Sequence, residues 1–304
     1  MLAAYDPGHV LFRVTDPRIT ESSGLAAGLA SDRLFTHNDS GDTARFFALG
    51  PDGRTVATYV LKGVQARDWE DIERGPGRTL WLADIGDNRA VRDRGVLVHE
   101  VAEPTGASAT LTAVSYRLRY EDGPHDAEAL LLSPSGRVLI VTKSLAGAGV
   151  YEAPERLAAG VPNLLRRVGS LDIPEVTAGD VSPDGTRVVL RNYTAAYEWP
   201  VRDGDVAAAL RAAPERIELP VQEQGEGITY SRDGRSLLVS SEGLDQPVYE
   251  LDGDQAPSPS ASPASAVQAR DRPPLTALSA AALALVALLT ALALRAGRRR
   301  HLGR

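Results

Sequence analysis

The chain has no cysteine, so disulfide bonds, thiolate metal ligation and a cysteine nucleophile are all excluded. Lysine is nearly absent: Lys62 and Lys143 are the only two, and the other basic residues are arginine, a bias that fits a GC-rich coding sequence and carries no functional weight. There is no Gly-x-Ser-x-Gly elbow, Walker loop, Gly-x-Gly-x-x-Gly after a strand, or His-Glu-x-x-His. These absences argue against an α/β-hydrolase, a nucleoside triphosphatase, a Rossmann dehydrogenase and a zincin. Positive charge is short as well. The whole chain carries −7, the residues after Leu294 carry +5 and the charges between residues 253 and 294 cancel, which leaves −12 on residues 1–252. Nucleic-acid binding depends on basic side chains that neutralise phosphates, so no nucleic-acid partner is expected, and cations, basic peptides or neutral ligands fit better.

What the chain does have is a repeat. Gly225-Glu226-Gly227-Ile228 through Gly234-Arg235 can be laid over Ala127-Glu128-Ala129-Leu130 through Gly136-Arg137, so that Glu falls on Glu, Ser231 on Ser133 and Gly-Arg on Gly-Arg. Thr177 to Gly185 fits the same frame, Glu70 to Arg78 fits it with one residue deleted, and Glu21-Ser22-Ser23-Gly24-Leu25 opens a looser fifth copy. Anchors at 21, 70, 128, 177 and 226 recur at the period of an array or propeller. The expected fold is all-β, a β-propeller of four-stranded blades. Five blades follow from five anchors, and the longer second repeat and variable outer strands leave six open.

The first repeat reads as strands at 24–30, 34–38, 45–49 and 55–61, separated by turns such as Pro51-Asp52-Gly53. The last repeat offers only three, at 227–231, 236–241 and 247–251. A three-stranded blade leaves an open edge, and the lone apolar strand at 9–14 is expected to fill it and close the ring. The Ala-rich stretch 206–213 reads as a helix inside the fourth blade. Trp69, Trp81 and Trp199 read as packing between blades.

Four segments are therefore expected: a propeller over 1–252, a Pro/Ser/Ala-rich disordered spacer over 253–274, a transmembrane helix over 275–294 and a basic cytoplasmic tail over 295–304. Leu275 to Leu294 are 20 residues without a charge, which as a helix span roughly 30 Å, one bilayer core. Arg295, Arg298, Arg299, Arg300 and Arg304 follow with no acid among them, which places the tail in the cytoplasm and the propeller outside a single-pass cell membrane. The first residues show no basic start and no apolar run, so either a signal peptide lies upstream of the given start or the protein is inserted by its tail with the domain facing the cytoplasm; the charge asymmetry around the helix favours the first.

The anchor column supplies Glu21, Glu70, Glu128, Thr177 and Glu226, expected on innermost strands and converging at one mouth of the channel. A second polar column, 14 to 18 residues later, holds Asp39, Asp84, Lys143, Asn192 and Ser241. Asp39-Ser40-Gly41-Asp42 and Asp84-Ile85-Gly86-Asp87 repeat an Asp-x-Gly-Asp pattern. Clustered carboxylates suit Ca²⁺, a hard cation with six to eight oxygen ligands, so Asp39, Asp42, Asp84, Asp87, Glu70, Glu128 and Glu226 are candidate metal ligands. Asp-x-Gly-Asp is equally turn chemistry, and a repeated Glu can serve as an acceptor for the next blade's amides. Lys143 is the one cation in the two columns; His37 and His125 flank acids and complete the channel-mouth candidates.

Glu-Ser-Ser-Gly-Leu at 21, His-Asn-Asp-Ser-Gly-Asp at 37, Asp-Trp-Glu-Asp-Ile at 68, Asp-Ile-Gly-Asp-Asn at 84, Asp-Ala-Glu-Ala-Leu at 126 and Gly-Glu-Gly-Ile at 225 resemble exported actinobacterial WD40-like propellers. These are distantly similar to phytase-like and SdiA-regulated propellers. The resemblance covers about residues 15–252 and implies the fold more than the activity. Carried over from phytase-type enzymes, it makes Glu70, Asp84, Glu128 and Glu226 calcium ligands, with few basic residues nearby to hold phosphate. The expected function is that of a membrane-anchored, non-enzymatic binding or sensing module for a protein, peptide or cell-wall ligand, which the Pro/Ser spacer suits; the alternative is a calcium-dependent, phytase-like or esterase-like hydrolase of phosphate or carboxylic esters.

Overall fold

The computed structural model describes residues 4–253; Gly253, expected as the first residue of the spacer, bridges to Tyr5, and the rest of the expected spacer, the transmembrane helix and the tail lie outside the described residues. Among the described residues no helix is long and apolar enough to cross a membrane.

The strands fall into five successive antiparallel units. Strand β1 (His9–Arg13) precedes the first unit, which is β2 (Ser22–Ala27), β3 (Leu34–Asn38), β4 (Arg45–Leu49) and β5 (Thr55–Leu61). The second unit is β6 (Trp69–Gly75), β7 (Thr79–Asp84), β8 (Val96–Ala102) and β10 (Val114–Tyr120), with β9 (Ala109–Leu111) between β8 and β10 in the chain. The third is β11 (Ala127–Leu132), β12 (Val138–Thr142), β13 (Ala148–Glu152) and β14 (Pro162–Leu171). The fourth is β15 (Val176–Val181), β16 (Arg187–Asn192), β17 (Ala195–Pro200) and β18 (Glu215–Glu218), with the single helical turn α1 (Val206–Ala209) before β18. The fifth is β19 (Gly225–Tyr230), β20 (Ser236–Ser241) and β21 (Pro247–Asp252), and β1 joins it by pairing with β21.

The first strands of the units, β2, β6, β11, β15 and β19, pack against one another in succession, and β19 packs against β2. The ring is propeller-like, with five blades. The extra length of the second repeat does not make a sixth blade. It goes into the 85–95 loop and into β9, which crosses to pair in parallel with β5 on blade 1. The outer strands β10 and β14 also pair in parallel, joining blades 2 and 3 edge to edge.

The hydrophobic core is split into five layers, one in each gap between blades. Phe35, Phe46 and Tyr59 face Trp69, Ile72 and Leu82 between blades 1 and 2. Equivalent sets fill the other gaps, with Trp81 between blades 2 and 3 and Trp199 between blades 3 and 4. A blade is thus apolar on both faces, which is why strands such as Leu130-Leu131-Leu132 and Val188-Val189-Leu190 read as unbroken apolar runs rather than alternating ones.

The Ser-x-x-Gly frame of the repeat is the turn between the first two strands of blades 3, 4 and 5. Gly136, Gly185 and Gly234 adopt φ of 81°, 69° and 73°, and each donates its N–H to the carbonyl of Ser133, Ser182 or Ser231 at 2.8 Å. That left-handed conformation is open to glycine without a steric penalty, hence its recurrence.

Closure by β1 carries a prediction. It covers the β21 edge, and Tyr5 just ahead of it donates to Glu198 Oε1 of blade 4 at 2.8 Å. Removing residues 1–14 is expected to lower the melting temperature by roughly 10 °C or more, because an opened ring loses several kcal/mol and each is worth about 2–4 °C at this size. A melting temperature within 2–3 °C of the intact chain, read by calorimetry, would mean that the strand contributes little (~1 kcal/mol).

Candidate functional site

Each innermost strand carries a register shift at its anchor: 69/71 in β6, 127/129 in β11, 176/178 in β15, 225/228 in β19 and 22/25 in β2. Such a bulge takes one residue out of the ladder and re-aims its side chain. The displaced residues are Glu70, Glu128, Thr177 and Glu226, and in blade 1 the matching residue is Ser23. The register is explicit: Trp69 pairs with Asp84, Ala127 with Thr142, Val176 with Asn192 and Gly225 with Ser241, whereas it is Ser22 that pairs with Asn38. The expected anchor Glu21 is therefore corrected to Ser23. Three carboxylates and two hydroxyls make the inner ring, and the hydroxyls close it: Ser23 Oγ donates to the Glu70 carbonyl at 2.8 Å and Thr177 Oγ1 to the Glu226 carbonyl at 3.1 Å.

Two residues ahead of each inner-ring position the chain carries Glu21, Asp68, Asp126, Glu175 and Gln224. Asp68 and Asp126 of this set come together with the inner-ring glutamates. Ligand oxygens of Asp39, Asp68 and Glu70 lie within 4.8 Å of one another, and so do those of Glu70, Asp126 and Glu128. Glu70 belongs to both triads. Lys143 Nζ donates to Glu128 Oε1 at 2.9 Å and lies over the Tyr193 ring, 5.1 Å from its centroid. Glu226 Oε1 accepts from Gln224 Nε2 at 3.2 Å, while Oε2 is buried without a partner. Behind Glu226 the fully buried Arg191 donates to the carbonyls of Gly227 and Ser240. A Cβ at position 225 would strike the Arg191 guanidinium, so a side chain there would displace it.

Of the remaining expected ligands, three serve the frame. Asp42 is held by Arg45 Nε and Asn38 Nδ2, each at 2.8 Å. Asp84 Oδ1 is paired with Arg92 Nη1 at 2.8 Å and accepts from the Asp68 N–H. Asp87 Oδ2 accepts from the Arg92 N–H at 2.7 Å, and its own N–H donates to Asp126 Oδ1 at 2.7 Å. Each already has a cationic or amide partner, so these three shape the mouth instead of facing into it. Gly86 of the second motif clears space: a Cβ there would strike Glu70 Oε1 and Asp68 Oδ2. The second polar column is mostly a backbone clip: Asn192 accepts from the Thr194 and Ala195 amides and Ser241 from the Gln224 amide, and in blade 1 Asn38, the residue paired with Ser22, does this in place of Asp39 by accepting from the Thr20 and Glu21 amides.

His37 is buried below the mouth, edge-on to Trp69 at 5.6 Å, with Nδ1 on the Asn38 carbonyl. Burial pushes its pKa down to about 4, so the ring is neutral and packs as a structural residue. His125 stands off the mouth, with Nε2 at 2.9 Å from both Asp122 Oδ1 and the Tyr151 hydroxyl. The residues that the sequence reading passed over are Asp68, Asp126, Glu242 and Tyr193. The first two were signalled by Asp-x-Glu at 68–70 and again at 126–128.

Like charges out of water resist ionisation together. Burial, then the charges of Glu128 and Asp39, hold Glu70 well above the usual carboxylate range. Burial raises Glu128 to about 7 against the pull of Lys143, and raises Glu226 to about 8 with Glu128 adding to it. Asp68 and Glu242 rise to about 6 and about 7, again by burial first. Burial opposes the charge of Lys143, but Glu128, Tyr193 and Glu226 outweigh it and push its pKa up.

The sign of the pH effect follows. An acid whose folded pKa is raised binds more protons folded than unfolded, so stability falls as pH rises through the interval up to that pKa. In cation-free protein the melting temperature is expected to rise by about 4 °C or more as pH drops from about 8.5 to 6.5. Calcium is expected to flatten that slope. A slope of the opposite sign in a differential scanning series would show that the acids do not face one another.

Below the mouth the channel is plugged. Arg74 of blade 2 reaches Asp180 of blade 4, with Nη2 to Oδ2 at 2.7 Å, although those blades are not neighbours in the ring. The Thr229 hydroxyl and the Tyr230 N–H of blade 5 donate to the same oxygen, both at 2.7 Å. Glu73 is buried beside them, and burial followed by the Asp180 charge pushes its pKa well above the usual carboxylate range. The site is a cup open on one side.

No protein-family model matches the sequence, and no curated protein matches it. Solved structures share the fold. The PQQ-bound aldose sugar dehydrogenase of Streptomyces coelicolor is 10% identical, with 83% of this chain and 99% of that one covered and a TM-score of 0.50. A calcium-binding protein of Agrobacterium tumefaciens, regucalcin, is 15% identical over 83% and 97% with a TM-score of 0.47. A Xanthomonas campestris gluconolactonase is 12% identical over 83% and 96% with a TM-score of 0.46. At these identities the likeness is one of β-propeller-like fold alone, and the resemblance to exported actinobacterial WD40-like propellers rests on the motifs alone.

Proposed function

We propose that the protein is a hydrolase of small phosphate or carboxylic esters that depends on a divalent cation held at the mouth, with calcium the cation that an all-oxygen donor set suits. The observation that carries this reading is the pair of carboxylate triads sharing Glu70. Asp39, Asp68, Glu70, Asp126 and Glu128 would hold the cation; their crowding and the orphaned Glu226 Oε2 fit such a group. A bound cation would polarise the ester oxygen and acidify water. Around it, the protein supplies three things. Glu226, fixed through Oε1 by Gln224, would take the proton of attacking water at its unpartnered Oε2 once the charge of a bound cation has lowered its raised pKa and ionised it. Lys143, steadied by Glu128 and Tyr193, offers positive charge to a developing oxyanion. The Arg74–Asp180 plug closes the cup from below.

The test is a panel of phosphate monoesters and carboxylic esters offered to cation-stripped protein with and without calcium. Turnover that requires calcium and is lost in Glu226→Gln is the expected result. No turnover of any ester by calcium-loaded protein would leave the mouth as a ligand-holding surface, the binding or sensing module that a tethered head suits. The membrane anchor at 275–294, the spacer at 253–274 and the outside position of the domain belong to the same proposal. They are supported by the uncharged run and the arginines that follow it. Protease accessibility of the domain in intact cells tests them.

A further inference from the structure

Between the outer parts of blades 1 and 2 the surface sinks into a cavity of about 690 Å³, lined among others by Arg67, Arg92, Arg94, Arg117, His99 and Ser115. Four guanidinium groups there meet only two carboxylates, Asp84 and Asp93. Guanidinium groups gathered in one place repel one another, and an anion held among them would offset that repulsion.

The deep side of the cavity is held in place and left unsatisfied. Arg92 is buried, its Nη1 bound to Asp84 Oδ1 at 2.8 Å and to the Gly86 carbonyl at 2.9 Å, and its Nε has no partner. His99 is 1% exposed, with Nδ1 at 2.8 Å from Ser115 Oγ and no partner for Nε2. With Ser115 donating to Nδ1, the His99 Nε2–H is a spare donor. Buried polar atoms without partners are uncommon, and two of them belong to residues that line this cavity. Arg94 and Arg117 are exposed, and Arg117 Nη1 reaches the Arg94 carbonyl at 3.4 Å, which keeps the pair together.

We propose that this cavity binds a small molecule through a phosphate or carboxylate group, gripped by Arg94 and Arg117 at the entrance with Arg92 and His99 beneath. Guanidinium forks match both oxyanions in bidentate geometry, and the volume lies within the ~300–1,000 Å³ usual for small-molecule sites. The cavity is a neighbour of the mouth and separate from it: Asp84 and Arg92 form the wall between them, since Asp84 also accepts from the Asp68 N–H. Anion binding here needs no chemistry at the mouth and stands whether or not the mouth is catalytic.

The experiment is calorimetric titration of inorganic phosphate, and separately of citrate, into full-length protein freed of calcium on a chelating resin, with ionic strength held constant by chloride. Freedom from calcium keeps phosphate from binding through a mouth cation. Saturable binding of either anion is expected, and the anion that binds identifies the group. Arg94→Gln/Arg117→Gln is expected to weaken it at least about tenfold, with the calcium response unchanged. Both side chains are exposed, so the variant is expected to melt with the wild type, and Arg94→Glu provides a second, charge-reversing check. No saturable binding by about 10 mM of either anion, or equal affinity in wild type and variants, overturns the proposal.

Discussion

Glu70→Gln is expected to reduce calcium-dependent turnover by at least about 100-fold, or about 2.7 kcal/mol of lost stabilisation. The residue is common to both carboxylate triads, so the amide removes a ligand charge from each while leaving shape and volume almost unchanged. The same substitution is expected to stabilise the cation-free protein. Glu70 is 3% exposed, and burial together with Glu128 and Asp39 disfavours its charged form, so a neutral amide relieves that repulsion. A melting temperature raised by roughly 3 °C without calcium, together with a lost calcium response, is a signature that a merely structural glutamate would not give. A drop in cation-free stability with turnover intact would assign Glu70 to the scaffold. The opposed signs matter, because loss of activity by unfolding moves both readings downward.

Asp180→Ala is expected to be the most destabilising single change in the ring, by about 3–5 kcal/mol, or roughly 6–20 °C in melting temperature. Asp180 accepts from Arg74, from the Thr229 hydroxyl and from the Tyr230 N–H, tying blades 2, 4 and 5 across the axis. Its loss strands the Arg74 charge in the interior, where no solvent compensates it. Removing both charges, as in Arg74→Met/Asp180→Ala, is expected to recover part of the loss, since a buried ion pair replaced by apolar groups is often tolerated. Urea melts of the two single variants and the double variant give the coupling directly. A double variant no better than the sum of the singles would mean that Arg74 and Asp180 act independently and that the plug is not a unit.

The ring was legible because its local signals agree with one another. The Ser-x-x-Gly turns sit at fixed offsets from the last three anchors and bound the strand at 236–241, while the blade 1 strands at 34–38, 45–49 and 55–61 follow from apolar runs parted by turns such as Pro51-Asp52-Gly53. The site was legible only in part. Glu21 imitates an anchor, yet Leu25 lies two residues after Ser23 as Ile228 lies two after Glu226, and both pair with the neighbouring strand beyond the bulge. A bulge shifts register by one residue and leaves no composition of its own, so Glu21 was misplaced by two positions. Asp84 reads as a ligand until Arg92 is seen, and Arg92 sits in a loop without periodicity. The basic cavity was invisible for the same reason: Arg67, the pair Arg92 and Arg94 of the 85–95 loop, and Arg117 of β10 span 50 positions on three segments and meet only where blades 1 and 2 part.

The most direct test of the cation-binding mouth is calorimetric titration of calcium into cation-stripped wild-type protein, with melting temperature followed in parallel. Saturable binding with a melting temperature that climbs with calcium concentration is the expected result, since a ligand of the native state stabilises it by mass action. No heat and no shift at about 100 times a millimolar dissociation constant would contradict the account, leaving the shared Glu70 and its neighbours as protonated hydrogen-bonding groups of a structural ring.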